Sequence, residues 1–468
     1  MFLAYDLHLL FISYNLNMTQ ESIHTNPDIS EVLRMTIGQE ADYYIRQMHE
    51  LEPAKFAVIK VGGETVQNDI ESLASDIAML TSIGLYPVVV HGGGPQINAD
   101  LEARGIEPKK HDGIRITDEQ TLESVQRGLL TVNKAITDAL TEKGVKTASI
   151  TQGVFRAKFK DEDNLGHVGE VEEVKTEEIT SAIQEGRVPI VSCLGADNEG
   201  NALNINGDSA ARALCIRMQP HRFIMLTGVA GVLDRDGQVI SVLNDTQEID
   251  KLIDEGTISE GMIPKVRDGM SVLHDLPHDS SVVITSPQQL IKELFTHQGG
   301  GTLLRHGDAI SHLPSIDAVD QKQVRELIED AFNKQLVDDY FDQLPEDAEV
   351  FITDRGYRGI AIVIPSEDGH PAYMDKLIVR KEERGHGVGD ELVDKVREAH
   401  PEGVFWRVRK DNPALPWYLS KGHGQPYDFG GEWIVFFTEE VKPDARAMYA
   451  SAAVLREQTV INYTNDDQ

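Results

Sequence analysis

Two glycine loops decide the fold of the first half of the chain, "AVIKVGG" (57–63) and "VVVHGGGPQIN" (88–98). Each begins with apolar residues typical of a buried strand and ends in glycines that precede an amphipathic helix. Glycines at strand ends let backbone N–H groups approach phosphate oxygens, and the helix N-terminus adds a positive dipole. Either loop alone could be a tight turn, and neither is a GxxxxGK[ST] P-loop. Together, with Lys60 beside the first, they indicate a phosphate site.

Around these loops, strands and helices alternate, which predicts a mostly parallel sheet covered by helices on both faces. Strands are expected at 56–61, 86–91, 147–150, 188–193, 222–227 and 280–285. Helices are expected at 68–83, 95–104, 119–143, 207–218, 245–255 and 261–275. The polar stretches 154–173 and 233–242 are expected to be hairpins. Helical periodicity over 29–50 predicts a helix that could pack on a neighbouring chain rather than on its own core.

A smaller mixed α/β unit is predicted downstream. It would hold a long helix at 318–343, strands at 349–354, 359–365, 372–379, 404–409 and 432–437, and helices ending at 399 and 420. The predicted divisions are an over-extended start (1–17), a helical segment (18–50), a first domain (51–307), a linker (308–316), a second domain (317–445) and a tail (446–468).

The composition limits the partners of the chain. Its 468 residues include 77 acidic and 44 basic side chains, a formal net charge of −33. Nucleic acid and anionic membranes would repel such a chain, so neither is expected as a partner. Cys193 and Cys215 lie in apolar runs without a second cysteine at metal-ligand spacing, so we expect buried thiols, no metal centre and a reducing cytoplasm.

The N-terminal stretch "MFLAYDLHLLFISYNLN" is apolar but lacks a basic segment and a cleavage site, and it is too short to span a membrane. We interpret residues 1–17 as an over-extended start, with translation beginning at Met18. A weak targeting presequence is the alternative. No other apolar run approaches spanning length, which predicts a soluble protein.

Further polar residues suit a site at the strand ends. In "LNINGDSAARAL" (203–214), Asn204 and Asp208 flank a strand–helix junction, where Asp208 or Asn206 could also simply cap the helix. Lys265 lies in "EGMIPKV" (260–266), where a solvated helix lysine is the ordinary interpretation. Arg115, in "DGIRITD" (112–118), has the fork geometry that suits a carboxylate.

Residues 55–307 resemble N-acetylglutamate kinase, of the amino-acid kinase superfamily. The matching runs cover the whole unit in the family's order: "KVGGETV", "VVVHGGGPQIN", "HDGIRITD", "NLGHVGEV", "VPIVSCLGAD", "LNINGDSAARAL", "LTGVAGVLD" and "EGMIPKV". The resemblance implies an open αβα sandwich. It also implies phosphorylation of the γ-carboxylate of N-acetyl-L-glutamate with ATP and Mg²⁺.

The resemblance also implies residue roles, and each matched position keeps the expected residue type, which favours a working kinase. Lys60 and Lys265 would neutralise the phosphoryl group, and Asp208 would hold both lysines in place. The backbone N–H groups of Gly63 and Gly93 would donate hydrogen bonds to the phosphoryl group. Substrate would be bound by Arg115, Asn204, Gly92 and Gly94. The nucleotide would lie along 227–234, with contacts from Thr227, Gly228 and Gly231.

The loop "RGHGVG" (384–389) follows a predicted strand and opens a helix, so it offers a second phosphate cradle, although it could be a charged turn. Residues 316–440 resemble the GNAT acetyltransferase domain of vertebrate-type N-acetylglutamate synthases. "YMDKLIVRKEERGHGVGDEL", "FWRVRKDNPALPWYLSKGHG" and "EWIVFF" carry the resemblance. It implies an acetyl-CoA site with contacts from Leu377, Val379, Arg384, Gly385, His386, Gly387, Val388 and Gly389.

The second resemblance proposes Lys376 and Tyr418 as a catalytic pair. Tyr418 could protonate the leaving thiolate or hydrogen-bond the oxyanion, and Lys376 could orient a substrate carboxylate or help to remove a proton. Tyr418 could also be an ordinary aromatic core residue. Glutamate's carboxylates would be held by Arg409 and Asn412, with Arg407 as the other candidate.

The whole chain most resembles bifunctional N-acetylglutamate synthase/kinases. The N-terminal helix and 292–307 resemble the arginine-inhibited members, which implies an L-arginine site near Glu293 and the backbone of Gly299, Gly300 and Gly301. A homo-oligomer, as a tetramer, is expected. The alternatives are a synthase with a regulatory kinase-like domain and a kinase with a non-catalytic sensor domain.

Overall fold

The computed structural model describes residues 40–111, 113–244, 246–258, 261–277, 279–296, 299–307, 310–353, 357–366, 370–384, 387–456 and 459–461. The chain divides between His306 and Gly307 into two compact units. None of the helices in these ranges combines the length and apolarity needed to cross a membrane.

The first unit is built on an eight-stranded sheet of order β12-β14-β13-β11-β1-β2-β8-β5, in which only the β13–β14 pair is antiparallel. Its strands are β1 (Ala57–Val61), β2 (Val88–His91), β5 (Thr147–Ile150), β8 (Val188–Ser192), β11 (Arg222–Leu226), β12 (Val242–Leu243), β13 (Ser281–Thr285) and β14 (Thr302–Leu304). Alternate residues of β1 enter opposite apolar clusters, so both faces of the sheet are buried.

Helices cover both faces: α1 (Glu40–Glu50), α2 (Gly63–Ser82), α3 (Gly94–Ala103), α4 (Glu119–Glu142), α5 (Glu162–Leu165), α6 (Glu177–Gln184), α7 (Gly207–Met218), α8 (Thr246–Asp254), α9 (Ile263–His274) and α10 (Leu290–Phe295). A small sheet of order β10-β9-β6-β7 lies beside them, formed by β6 (Phe155–Phe159), β7 (Gly169–Val174), β9 (Leu194–Ala196) and β10 (Ala202–Asn204). Strands β3 (Lys110–His111) and β4 (Ile114–Arg115) form a separate hairpin.

Helix α1 packs on the core of its own chain, which differs from the neighbour packing considered above. Ala41, Tyr44 and Met48 repeat at helical spacing and are buried in the same cluster as the inner face of α2. The rest of the predicted helix, from residue 29 to 39, lies outside the described residues.

The second unit is a seven-stranded sheet of order β15-β17-β18-β19-β20-β22-β21. Its strands are β15 (Ile310–Leu313), β17 (Glu349–Thr353), β18 (Gly359–Ile364), β19 (Ala372–Val379), β20 (Val404–Arg409), β21 (Tyr427–Asp428) and β22 (Trp433–Phe437). Its helices are α11 (Gln321–Phe332), α12 (Val388–Ala399), α13 (Leu415–Lys421) and α14 (Pro443–Leu455). The short strands β16 (Gln335–Leu336) and β23 (Val460–Ile461) pair with each other. The predicted fold class, a mostly parallel αβα sandwich followed by a smaller mixed α/β domain, is confirmed.

Three boundaries differ from the sequence-based expectation. The predicted helix 318–343 is shorter, because Asn333 adopts a left-handed conformation (φ 49°) that ends α11. The predicted linker 308–316 contains β15, which pairs with β17. The predicted tail 446–468 contains most of α14, whose Ala450 and Ala453 are buried.

Candidate active sites

Three helix N-termini meet at the carboxyl ends of β1 and β2. A Cβ atom placed on Gly63, at the start of α2, would lie 3.1 Å from Gly93 Cα, and one on Gly207, at the start of α7, would lie 3.6 Å from Gly92 Cα. The adjacent parallel strands bring their loops together, because Lys60 pairs with Val90. The starts of three helices thus converge, and the positive ends of their dipoles suit an anion.

A side chain from the second glycine loop ties it to the first. Gln96 Nε2 donates to the Gly63 carbonyl at 2.9 Å. A Cβ atom on Gly63 would lie 2.5 Å from Gln96 Oε1 and 3.0 Å from Pro95 Cδ. Glycine at 63 is therefore a packing requirement, whereas Gly92 and Gly94 face open space.

Two polar residues at the start of α7, Asn206 and Asp208, have different roles. Asn206 caps the helix, since its Oδ1 accepts from the N–H groups of Asp208 and Ser209. Asp208 is thus available for Lys60, whose Nζ lies 2.7 Å from its Oδ1. The alternative that Asp208 only caps a helix is therefore wrong.

Lys265 lies in the first turn of α9, near the same pair. Burial lowers the pKa of its ammonium group and Lys60 lowers it further, while Asp208 raises it. Among the described residues, Asp208 forms its ion pair with Lys60 and none with Lys265. Asp268, which the sequence analysis did not single out, lies one turn further, and burial and then Asp208 raise the pKa of its carboxyl group.

A second polar group surrounds Arg115 on β4. Arg115 Nη2 donates to Asn98 Oδ1 at 2.6 Å, while its Nη1 is buried with no hydrogen-bond partner among the described residues. Asn204, at the end of β10, donates to Thr117 Oγ1 at 3.0 Å. Asn98 and Thr117 lie inside motifs quoted above, but their contacts depend on pairing distant segments. One of the two terminal nitrogens of Arg115 therefore has no protein partner in the part of the chain that the structure describes.

The predicted nucleotide segment follows β11. Thr227 is buried and donates to the Val229 carbonyl at 2.7 Å, and Gly228 faces open space. Gly231 has a packing reason to be glycine, because its Cβ would lie 2.7 Å from Thr302 Oγ1.

In the second unit, two adjacent parallel strands separate and leave a cleft. Strands β19 and β20 pair only at Ala372–Val404 and Tyr373–Phe405. Beyond that point the β20-facing edge of β19 has no paired neighbour within the described chain. Leu377 and Val379 lie on this stretch and pack beside the apolar cluster that contains Val388. Such an edge can pair with the amide groups of an extended ligand.

The predicted phosphate cradle lies where β19 leads into α12. Gly387 adopts a left-handed conformation (φ 76°) as the N-terminal cap, and a Cβ on Gly389 would lie 3.2 Å from the Trp417 ring. Arg384 donates to the carbonyls of Ala331 (2.8 Å) and Val379 (3.4 Å), so it braces the loop. Gly385 and His386 lie outside the described residues.

Lys376 is 8% exposed and forms an ion pair with Asp375, whose Oδ2 lies 2.6 Å from its Nζ. Burial lowers the pKa of the Lys376 ammonium group, and Asp375 raises it. Burial alone would raise the pKa of Asp375, but Lys376 and a hydrogen bond from Tyr340 hold it below its usual value. The sequence did not predict that Asp375 and Tyr340 would contact Lys376. Tyr340 comes from a distant segment of the chain.

Tyr418 on α13 is half-buried beside Phe436, at a ring distance of 6.3 Å. Burial raises the pKa of its phenol to about 12, while Arg384 lowers it. The group therefore stays protonated at neutral pH, as a proton donor requires.

The predicted glutamate-binding side chains have internal partners. Arg409 forms two bonds to Asp411 (2.9 and 3.1 Å) and one to Glu432 (3.0 Å). Arg407 donates to carbonyls at the end of α14 and lies over the Trp433 ring at 4.4 Å. Asn412 Oδ1 accepts from the Ala414 N–H at 2.8 Å, which shapes the turn before α13.

The predicted arginine segment is held together internally. Glu293 Oε2 accepts from the Gly300 N–H at 2.7 Å, and Gly299 has φ 67°. Burial raises the pKa of the Glu293 carboxyl group, and the Gly300 N–H lowers it. A Cβ on Gly301 would lie 2.6 Å from the Ile284 carbonyl oxygen, so Gly301 packs against β13. Helix α1 packs against α10, which carries Glu293.

The folds of the two units are those of a two-domain transferase, and the groups of residues described above are its candidate phosphate and acyl-group sites. The amino acid kinase family model matches residues 55–286. The model "NAT, N-acetyltransferase, of N-acetylglutamate synthase" matches 311–453.

Comparison with individual proteins makes this class specific. The acetylglutamate kinase of Xanthomonas campestris pv. campestris is 37% identical over 399 residues, which cover 83% of this chain and 92% of that protein. Protein arg-6, mitochondrial, of Neurospora crassa is 33% identical over 430 residues, 88% of this chain and 49% of that protein. The N-acetylglutamate synthase of Neisseria gonorrhoeae, solved with coenzyme A and N-acetyl-glutamate, matches in fold (TM-score 0.56, 19% identity, 86% of this chain and 97% of that chain). The chain therefore belongs to the acetylglutamate kinase family of arginine biosynthesis and carries an N-acetyltransferase domain.

Proposed function

We propose that the two units catalyse consecutive reactions. The second unit would transfer an acetyl group from acetyl-CoA to L-glutamate, and the first would phosphorylate the N-acetyl-L-glutamate with ATP to give N-acetyl-L-glutamyl 5-phosphate. The observation that carries the proposal is that each unit has a helix N-terminus at the end of a strand and a lysine–aspartate ion pair of its own.

In the kinase step, a γ-carboxylate oxygen would attack the γ-phosphorus, and the bond to the bridging oxygen of ADP would break without a proton transfer. Lys60 and Lys265 would neutralise the phosphoryl oxygens, and the N–H groups of Gly63 and Gly93 would donate to them. Arg115 would direct its unpaired Nη1 to the α-carboxylate, with Asn204 nearby. ATP would enter as its magnesium complex, with Mg²⁺ held by phosphate oxygens.

In the acetyl transfer step, the glutamate amine would attack the thioester carbonyl carbon, and the C–S bond would break. The amine loses one proton and the thiolate gains one. Tyr418, whose phenol is protonated at neutral pH, would supply the proton of the thiolate; the proton lost by the amine would pass to solvent, and solvent would reprotonate Tyr418. Lys376 would orient a glutamate carboxylate, and the unpaired edge of β19 would hold the extended part of acetyl-CoA.

The deciding experiment follows free CoA from purified protein given L-glutamate and acetyl-CoA, beside Tyr418→Phe. Glutamate-dependent release that falls in the variant supports the synthase. Release no faster than background hydrolysis, from protein that still phosphorylates N-acetyl-L-glutamate, would refute it and leave a kinase with a coenzyme A-binding domain.

We further propose feedback inhibition by L-arginine, bound near Glu293 and 299–301, in a cytoplasmic homo-tetramer. The packing of α1 on α10 supports a link between the N-terminal region and this segment. Removal of residues 18–50, which takes away α1 and its contact with α10, should abolish inhibition. Unchanged inhibition would overturn the idea, and light scattering would test the tetramer.

A further inference from the structure

A buried tyrosine lies behind the Lys376 ammonium group. The Tyr340 hydroxyl donates to Asp375 Oδ2 at 2.9 Å, and the same oxygen accepts from Lys376 Nζ at 2.6 Å. Lys376 Nζ also lies 4.8 Å from the centre of the Tyr340 ring. Tyr340 is 1% exposed, so solvent does not compete for these contacts. One side chain therefore contacts both members of the ion pair.

A β-bulge explains why consecutive residues of β19 can form this pair. Ile362 of β18 is opposite Lys376 and Val363 is opposite Met374, so Asp375 is the extra residue. In a regular strand, neighbouring side chains point to opposite faces, and a bulge changes that direction. The bulge brings the Asp375 carboxylate to Lys376, at the part of β19 where β20 has separated.

We propose that Tyr340 is a positioning residue for acetyl transfer: its hydroxyl and ring fix the Asp375–Lys376 pair and so fix where Lys376 presents its ammonium group. This inference rests on the synthase activity proposed above. Tyr340 reaches the pair from the segment after β16. A hydroxyl shared with a buried carboxylate also limits how strongly Asp375 holds Lys376.

The electrostatic surroundings of the pair are mixed. The titratable groups that face it come from β19, β20, the segment after β16 and the end of α14: Tyr340, Tyr373, Asp375, Arg407 and Arg456. Burial, and then Asp375, raise the pKa of the Tyr340 phenol, so it stays a donor. Loss of that donor leaves Lys376 as the hydrogen-bond donor to Asp375 Oδ2 among the described residues, beside the more distant charge of Arg456, so the ammonium form of Lys376 is stabilised.

The test is Tyr340→Phe in the full chain. Acetyl transfer should fall by about tenfold in kcat, since displaced catalytic groups lose alignment, with little change in the KM for acetyl-CoA. Competitive labelling with acetic anhydride measures the pH at which the Lys376 amine becomes reactive. In the variant this pH should rise by about half a unit or more. A labelling curve identical to that of the unaltered protein would refute the role.

Two controls separate positioning from general damage. Tyr357→Phe removes a hydrogen bond of the same length, from the Asp320 N–H at 2.9 Å, within the same apolar cluster, and should leave the Lys376 curve in place. Phosphorylation of N-acetyl-L-glutamate by the first unit should be unchanged in both variants. If Tyr340→Phe does not fold, 3-fluorotyrosine at position 340 provides a stronger donor of nearly the same size and should move the Lys376 curve to lower pH; an unmoved curve refutes the role.

The outcomes also separate this inference from the proposed function. If Lys376→Met loses acetyl transfer while the Tyr340 variants leave the rate and the labelling curve unchanged, the synthase stands and the positioning role is wrong. If the unaltered protein releases no CoA, the synthase is wrong. A shifted labelling curve would then show that Tyr340 controls the pair without serving catalysis, which also overturns the positioning role.

Discussion

Replacement of Arg115 by lysine tests the proposed substrate site most directly. Arg115 Nη2 is already used by Asn98 at 2.6 Å, and the buried Nη1 has no partner among the described residues. A carboxylate on Nη1 would therefore complete the fork. Lysine keeps the charge but cannot serve Asn98 and a carboxylate in one plane.

The expected loss follows from the bonds removed. A hydrogen bond to a charged group contributes about 1.5–3 kcal/mol, and Arg115 is only about half-buried, so we take the lower part of that range, about 2 kcal/mol. This corresponds to a fall of about 30-fold in kcat/KM for N-acetyl-L-glutamate. The loss should appear mainly in KM, because the carboxylate is bound equally in the ground and transition states.

The assay is ADP formation at varied N-acetyl-L-glutamate and fixed ATP, with Arg127→Lys as the matched control. Arg127 forms an exposed bidentate pair with Asp100 (3.0 Å for both bonds) on nearby helices, so its replacement should change the KM by less than about twofold. An unchanged KM in Arg115→Lys, or an equal rise in the KM for ATP, would refute the assignment of Arg115 to the substrate carboxylate.

Four further predictions address the other sites. Gly63→Ala should lower kinase turnover by about 10²-fold, because its Cβ would stand 3.1 Å from Gly93 Cα and displace the donor N–H groups, while acetyl transfer by the same protein is unchanged. Tyr418→Phe should lower CoA release by about 10²-fold. Because its surroundings raise the Tyr418 pKa to about 12, acetyl transfer by the unaltered enzyme should show no loss near pH ~10, where a free tyrosine ionises, and a loss with that midpoint would contradict the raised pKa. Glu293→Gln should raise the L-arginine concentration for half-inhibition of the kinase by about tenfold or more, measured as ADP formation, and an unchanged value would exclude Glu293.

The fold class was predictable from the sequence, because buried parallel strands are apolar throughout and their glycine loops mark the strand ends. It was harder to predict which of two neighbouring polar residues caps a helix. Asn206 and Asp208 are both able to cap α7, and only the position of Lys60 distinguishes them. The end of α11 was missed because a single residue, Asn333, marks it, while the residues that follow to 343 continue a helical pattern of apolar positions. The Tyr340–Asp375 contact was missed because it joins residues 35 positions apart and depends on a bulge that leaves no signal in "YMDK".

Both proposed sites contain helix N-termini that could bind phosphate, but we expect the bound phosphate to play a different role in each. At the first, three helix N-termini converge with Lys60 and Lys265, so positive charge lies where a phosphoryl group would move. At the second, one helix begins after Gly387. Asp390 in its first turn accepts a hydrogen bond from Trp417 and forms an ion pair with Lys421. One helix dipole can hold a phosphate but does little to stabilise its transfer. A phosphate held there would be an anchor, and the chemistry would occur along β19 at Lys376. We therefore infer that mutations in α12 should change the KM for acetyl-CoA, whereas mutations of the Lys60–Asp208 pair should change kinase turnover.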